Sequence, residues 1–217
     1  MAKADVLLAA RPEDLVYLRD RLVAANRLGD ARSAAGDLAG AVTDFTTMAN
    51  AAYQVSAADP YNTGAAWEYA LAMIRRGETR LALNDSAGAR ADLEVGVSVR
   101  QWLAEQDKEN IPAQRDLAFA LQRLADTHYA EKNLDAGRPL EEQALAILRW
   151  IDQSQPDDLW NIIDVATALD RLSSYHTDDP AYLTESLQLL EKLQARGDLP
   201  EQYLSWIEND RRVLGLN

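Results

Sequence analysis

Cysteine is absent from the chain, which removes disulfide frameworks, thiolate zinc sites and cysteine nucleophiles together. Bases are scarce: 22 Lys and Arg stand against 35 Asp and Glu, a formal net charge of −13. A sequence-independent grip on nucleic-acid phosphates needs clustered Lys and Arg, so binding of DNA or RNA is not expected. The acidity reads first as solubility and second as attraction for a basic partner. Long apolar runs are missing too. No stretch approaches the ~20 apolar residues of a membrane helix. The opening MAKADVLLAARPED has too short an apolar run, broken by acids, for a signal peptide. No membrane contact is expected, and a cytoplasmic location is the default.

What is present is a hydrophobic share of 47% over 217 residues, enough for a packed core, and a repeat. An offset of 48 residues aligns Arg27, Arg75, Arg123 and Arg171. Seven positions earlier Asp20, Glu68, Asp116 and Asp164 are acidic throughout. Small residues share a register as Gly29, Gly77, Ala125 and Ser173, and again as Ala41, Ala89 and Gly137. Punctuation recurs with them: Asp14, Asn62, Asn110 and Asp158 form one row, Asp37, Asp85 and Asn133 another. Asp and Asn accept hydrogen bonds from the free amides of a first helical turn, so each row reads as N-caps. Two caps per unit predict two helices per unit. The first helices are expected over Leu15–Ala35, Thr63–Leu83 and Ile111–Glu131, the second over Leu38–Ala58, Ser86–Gln106 and Leu134–Ser154. Apolar spacing within them, as in Leu15, Leu18, Leu22, Ala25 and Leu28, is helical, and strand-like alternation is lacking. The recurrent Gly, Ala and Ser let helix axes approach closely.

These residues carry a resemblance. The stretches Leu28–Met48 and Leu124–Leu148 are similar to the tetratricopeptide repeat (TPR): a Leu followed by a small residue, aromatic positions, an Asn or Asp cap, a small residue and a final Ala. Arg76–Gly96 fits less well, because Arg76 replaces the apolar residue. The resemblance implies an all-α fold, a TPR-like right-handed α-solenoid of antiparallel helix pairs, and it departs from the usual unit in length. Each unit of 48 residues is about 14 longer than the ordinary 34. About seven residues per helix are close to two turns and continue the buried stripe on one face. Asp59, Pro60, Tyr61 and Asn62 resemble the D-P-x-N junction of extended bacterial TPR units.

The chain is accordingly divided as one repeat domain. Residues 1–10 form a partial repeat or N-terminal cap, because Val6–Ala10 align with later second-helix ends such as Trp102–Gln106. Repeats follow over 11–58, 59–106, 107–154 and, shortened, 155–197. Asp179 and Pro180 open a fresh helix that Gly197 ends. A last amphipathic helix within 198–217, with Leu204, Ile207, Val213 and Leu214 on one side, serves as the C-terminal cap.

Chemistry is harder to find. The phosphate-binding glycine loop, the dinucleotide fingerprint, the zincin helix and the nucleophile elbow are all lacking. The two histidines, His128 and His176, share the register of Arg32 and Arg80. Equivalent positions in stacked units lie on the order of 10 Å apart, while a metal needs several converging ligands, so both are expected to be structural. Neither metal nor cofactor nor catalysis is expected. The Arg and acidic rows predict pairing within a helix and a ladder between stacked helices, with groove contact as the alternative.

By the resemblance, the concave face is lined by first helices, which makes Val23, Asn26, Asp30, Leu71, Ile74, Glu78, Phe119, Gln122, Asp126 and Tyr129 the candidate partner-binding groove. Acids at Asp30, Glu78 and Asp126 beside apolar Leu71, Ile74 and Phe119 suit a basic or amphipathic peptide. They disfavour the carboxylate-clamping role of chaperone-binding TPRs, and a groove filled by the chain's own last helix is the competing arrangement. The function expected is a protein-protein interaction scaffold, standing alone or as the docking or sensor arm of a larger bacterial protein. Homo-oligomeric stacking through terminal repeats is the alternative.

Overall fold

The computed structural model describes residues 14–176 and 179–216. The partial repeat expected over residues 1–10 lies outside them. Among the described residues every regular element is a helix: α1 (Leu15–Ala34), α2 (Leu38–Ala58), α3 (Thr63–Ala82), α4 (Ser86–Gln106), α5 (Ile111–Ala130), α6 (Leu134–Ser154), α7 (Leu159–Ser173), α8 (Ala181–Arg196) and α9 (Leu204–Val213). A short 3-10 turn, Glu201–Tyr203, precedes α9. The second helices begin and end where the spacing predicts, and the first helices stop one residue earlier.

Side-chain caps start most of these helices. Asp14 accepts from Val16 N (3.0 Å), Asp37 from Gly40 N (3.0 Å), Asn62 from Ala65 N (3.0 Å) and Asp85 from Gly88 N (3.0 Å). Asn110 accepts from Ala113 N at 3.1 Å and Asp158 from Trp160 N at 2.9 Å. Asn133 departs from the predicted row and makes no side-chain cap bond. There its backbone carbonyl takes the amides of Ala136 and Gly137 at 3.3 and 3.2 Å, and Asp135 supplies a first-turn acid that suits the helix dipole.

The hairpin turns repeat as well. Gly36, Asn84 and Lys132 occupy one register and all sit at positive φ, 80°, 62° and 58°. At each, the next amide reaches back to the last helical turn: Asp37 N to Arg32 O, Asp85 N to Arg80 O and Asn133 N to His128 O, at 2.8–2.9 Å. This closes the first helix in a Schellman turn and reverses the chain into the second.

Two compact units divide between Ala113 and Gln114, three residues into α5. In the first unit α2 packs against α1 and α3, and α3 against α4. Leu18, Leu22, Ala41, Phe45, Met48, Val55 and Met73 belong to its core. The small residues permit the close crossings: a Cβ built on Gly29 would stand 2.6 Å from the Phe45 ring, one on Gly77 2.7 Å from Leu93, and one on Gly96 2.7 Å from Ile74. Each hairpin also holds a buried carboxylate. Arg32 meets Asp44 at 3.0 Å and Arg80 meets Asp92 at 2.9 Å, the acids being only 2% and 3% exposed. Arg76, the misfit in the TPR-like pattern, adds a 2.6 Å pair to Asp92. The apolar position was given up to a second cation on the same buried acid.

In the second unit α7 packs against α6 and α8, and α9 against α8. Tyr175 stands 2.7 Å from a Cβ built on Gly137 and donates its hydroxyl proton to Ala125 O at 3.1 Å. Ile207 of α9 packs with Leu187, Leu190 and Ala166, and Leu214 lies against the same cluster. Leu204 and Val213, expected on that face, are instead 38% and 66% exposed. Val213 lies six residues from Ile207, on the far side of a helix that turns about 100° per residue, and Leu204 opens the helix at its edge.

The buried stripe of α9 carries Asp210, 1% exposed, whose Oδ2 finds no hydrogen-bond partner among the described residues. Burial, then the charge of Asp170, pushes its carboxyl up to about 6. Burial raises Asp170, Asp164, Asp152 and Glu141 in the same direction. A carboxyl whose acidity is weakened by folding contributes stability that is present below its unfolded value and lost as pH rises through the folded one. Asp210→Asn is therefore expected to stabilise the second unit above pH 6, by on the order of 2 kcal/mol, and to change it little below pH 4. Urea titrations of both proteins across that range would measure it. An unchanged difference from acid to neutral pH would remove Asp210 as the source.

Candidate functional site

In the first unit the predicted groove residues divide by exposure. Val23 of α1 is 44% exposed, Asp30 is exposed, and Asn26, Leu71 and Glu78 are partly buried. Ile74 is not available to a ligand: at 2% exposure it fills the notch above Gly96 and belongs to the core. The first-helix spacing that placed it with Leu71 does not tell which side of α3 meets α4. Asp30 lies 4.0 Å from Arg75 of α3, with both side chains about half exposed.

In the second unit Phe119 and Tyr129 of α5 are 45% and 50% exposed, and the guanidinium of Arg123 lies 5.0 Å over the Phe119 ring. Gln122 is buried, and its carbonyl accepts from Arg171 at 3.0 Å. Asp126 is held between Arg123 (3.1 Å) and Arg171 (2.6 Å). The pairs Asp30–Arg75 and Asp126–Arg171 span the same sequence separation, and each links one first helix to the next within its unit, two rungs of the expected ladder. Arg171 also binds Glu141, which is fully buried, through Nε at 2.9 Å and through Nη2. The acidic row is thus partly committed to structure: Asp126 is engaged on two sides, and Asp30 faces an arginine across a solvated gap.

The geometry that repeat matching missed lies in the first unit, on the side of the second helices. An open cleft of about 510 Å³ is bounded by Tyr53, Ser56 and Ala57 of α2, Pro60 of the following junction, Ala66 and Tyr69 of α3, and Ser98, Val99 and Trp102 of α4. The Tyr53 and Tyr69 rings stand 5.7 Å apart at 57°. Tyr53 is 59% exposed, and burial raises the Tyr69 hydroxyl, with the charge of Arg76 pulling the other way. No lining side chain is a carboxylate or a base. Small residues at Ala57, Ala66, Ser56 and Ser98 leave the space, and the three aromatic rings wall it. Sequence held the clue in the run of small residues through the second half of α2, interrupted by Tyr53.

Metal chemistry has no candidate among the described residues, where no three His, Asp or Glu side chains converge. His176 lies 3.6 Å from Glu142, and its ring stands 5.1 Å from that of Tyr182, tilted by 44°. No described helix is long and apolar enough to cross a membrane.

Comparison with solved structures fixes the fold class. The crystal structure of BtubC (BKLC) from P. vanneervenii superposes with a TM-score of 0.67 over 99% of this chain and 80% of that one. Sequence identity is 12%, so the likeness speaks to the fold alone: an all-α solenoid class built from antiparallel helix pairs. No family model matches the sequence, and no curated protein does.

Proposed function

We propose that the protein is a TPR-like interaction module that holds a segment of a partner protein. The observation that carries this reading is the aromatic-walled cleft between α2, α3 and α4. It is open to solvent, larger than packing defects in a native interior, and walled by Tyr and Trp, the side chains over-represented where proteins bind one another. A catalytic reading has less behind it, because the cleft's lining holds neither a carboxylate nor a base to move a proton. The first-helix residues Val23, Asp30, Phe119 and Tyr129 offer further exposed surface.

Two variants separate these surfaces. Tyr53→Ser removes an exposed ring from the cleft without touching the core. Asp30→Lys reverses the exposed first-helix acid and leaves the Asp126, Arg171 and Glu141 network in place. Affinity capture with the parent and both variants, followed by hydrogen-exchange mapping of each complex, reports which surface a partner covers. Loss of a partner on Tyr53→Ser, with exchange protection over α2 and α4, is the expected result. A partner that binds all three proteins equally would refute both surfaces.

A further inference from the structure

Resting on that reading, we infer that the cleft between α2, α3 and α4 recognises the guanidinium of an arginine presented by the partner. The lining has aromatic faces in Tyr53, Tyr69 and Trp102 and hydroxyls in Ser56 and Ser98, but no ionic side chain. Ring faces carry partial negative charge and attract a cation placed over them.

Helix direction adds to this. Ser56 and Ala57 lie in the last turn of α2, Trp102 lies near the end of α4, and Ala66 lies in the first turns of α3, so the cleft meets two helix C-termini and one N-terminus. The C-terminal ends carry the negative pole of the helix dipole. Elsewhere the chain neutralises that pole: the last turns of α1 and α3 hold Arg32 and Arg80. The last turns of α2 and α4 hold no base, and α2 has no Lys or Arg anywhere in its length. Their C-caps are themselves acids, Asp59 and Asp107, both exposed. The last turns of these second helices thus carry no base, whereas those of the first helices α1 and α3 do.

Of the two cationic side chains, arginine fits. Its planar, weakly hydrated guanidinium stacks on rings while its edge donates hydrogen bonds to carbonyls and hydroxyls, whereas an ammonium stays strongly hydrated. The chain makes the same contact with its own residues: Arg100 lies 4.7 Å over the Trp67 ring, and Arg123 lies over Phe119. A carboxylate ligand would meet two negative helix poles against the single positive pole of α3, with no base in the lining to receive it. The net charge of −13 draws a basic segment in.

The test uses the full chain and a blocked hexapeptide of alternating arginine and leucine, at about 0.15 M salt to screen diffuse attraction. Matched peptides carry citrulline, lysine or proline in place of arginine. Tryptophan fluorescence and the indole N–H resonance of Trp102 report occupancy. Saturable binding of the arginine peptide is expected, weakened about tenfold or more by citrulline and by Tyr53→Ser and Asp59→Lys, both at exposed positions. Equal binding of the citrulline peptide would overturn the guanidinium assignment while leaving the interaction module standing if Tyr53→Ser still abolished it. Tighter binding of the proline peptide, indifference to both variants, or no saturable binding of any peptide would each overturn it too.

Discussion

Arg171→Met is expected to destabilise the second unit by about 3–5 kcal/mol, while Glu141→Leu at the other end of the same ion pair costs far less or stabilises. The two partners differ in what each would leave behind. Glu141 is fully buried, and its Oε2 finds no hydrogen-bond partner among the described residues. Burial already lifts its carboxyl, with the hydrogen bond and charge of Arg171 pulling the other way. Without Arg171 the carboxylate is stranded, and it must either remain charged at high cost or take up a proton. Arg171 without Glu141 keeps Asp126 at 2.6 Å and the Gln122 carbonyl at 3.0 Å, and its side chain is 22% exposed to water. In the parent chain burial pulls its guanidinium down and Glu141, then Asp126, more than offset this; without Glu141 an arginine still stays charged. Removing the base thus orphans a buried charge, and removing the acid leaves a solvated one.

The pH dependence has a definite sign. A stranded Glu141 has a carboxyl raised further above its unfolded value, so the penalty of Arg171→Met is felt at neutral pH and shrinks as pH falls through that raised value. The double variant Arg171→Met, Glu141→Leu is expected to recover most of the loss. Urea unfolding of the four proteins at two pH values gives the coupling directly. A Glu141→Leu variant that loses as much as Arg171→Met would show that the pair is held for its own attraction.

The register explains why Glu141→Leu is tolerable. Glu141 aligns with Phe45 and Leu93, the residues that pack on Gly29 and Gly77. One position earlier, Leu140 aligns with the buried acids Asp44 and Asp92, and His128 with their partners Arg32 and Arg80. The third repeat has therefore lost the hairpin ion pair at one position and gained a buried acid at the next, answered from the fourth repeat by Arg171. Helix order, boundaries, turns and most caps were legible in the sequence because each depends on a few local residues and recurs at 48-residue spacing. The exchange at Leu140 and Glu141 was equally visible in the alignment, yet only packing shows that the second position is interior.

The candidate site was legible to a lesser degree for a related reason. Repeat matching places a residue on a helix but does not set which arc of that helix its neighbours cover. Repeat spacing puts Ile74 in the groove with Leu71, yet it packs against Gly96, and it puts Val213 on the buried stripe of α9, yet that side chain is exposed. The cleft leaves no mark in the repeat because its wall is made by three helices from two repeats, and Tyr53, Tyr69 and Trp102 share no register. Its charge pattern was readable all the same: bases end the first helices and none ends α2 or α4.

Gly29→Ala is expected to destabilise the first unit by about 1–3 kcal/mol in the parent chain and to stabilise it in a Phe45→Ala background. On an isolated helix, alanine would gain about 1 kcal/mol over glycine. Here its Cβ would stand 2.6–2.9 Å from three atoms of the Phe45 ring, which is itself 2% exposed and enclosed by the core. The ring cannot swing into solvent, so α1 and α2 must part, and the packing loss outweighs the propensity gain. Phe45→Ala alone leaves a cavity at that crossing and costs about 3–5 kcal/mol. Once the ring is gone the new methyl enters empty space, so only the helix propensity and a partial refilling remain, and the sign of the glycine substitution reverses. A double-mutant cycle by urea unfolding measures this sign change. If Gly29→Ala stabilises both backgrounds, the small-residue row would be a relic of helix propensity, and the crossing of α1 and α2 would be looser than the contact between Gly29 and Phe45 requires.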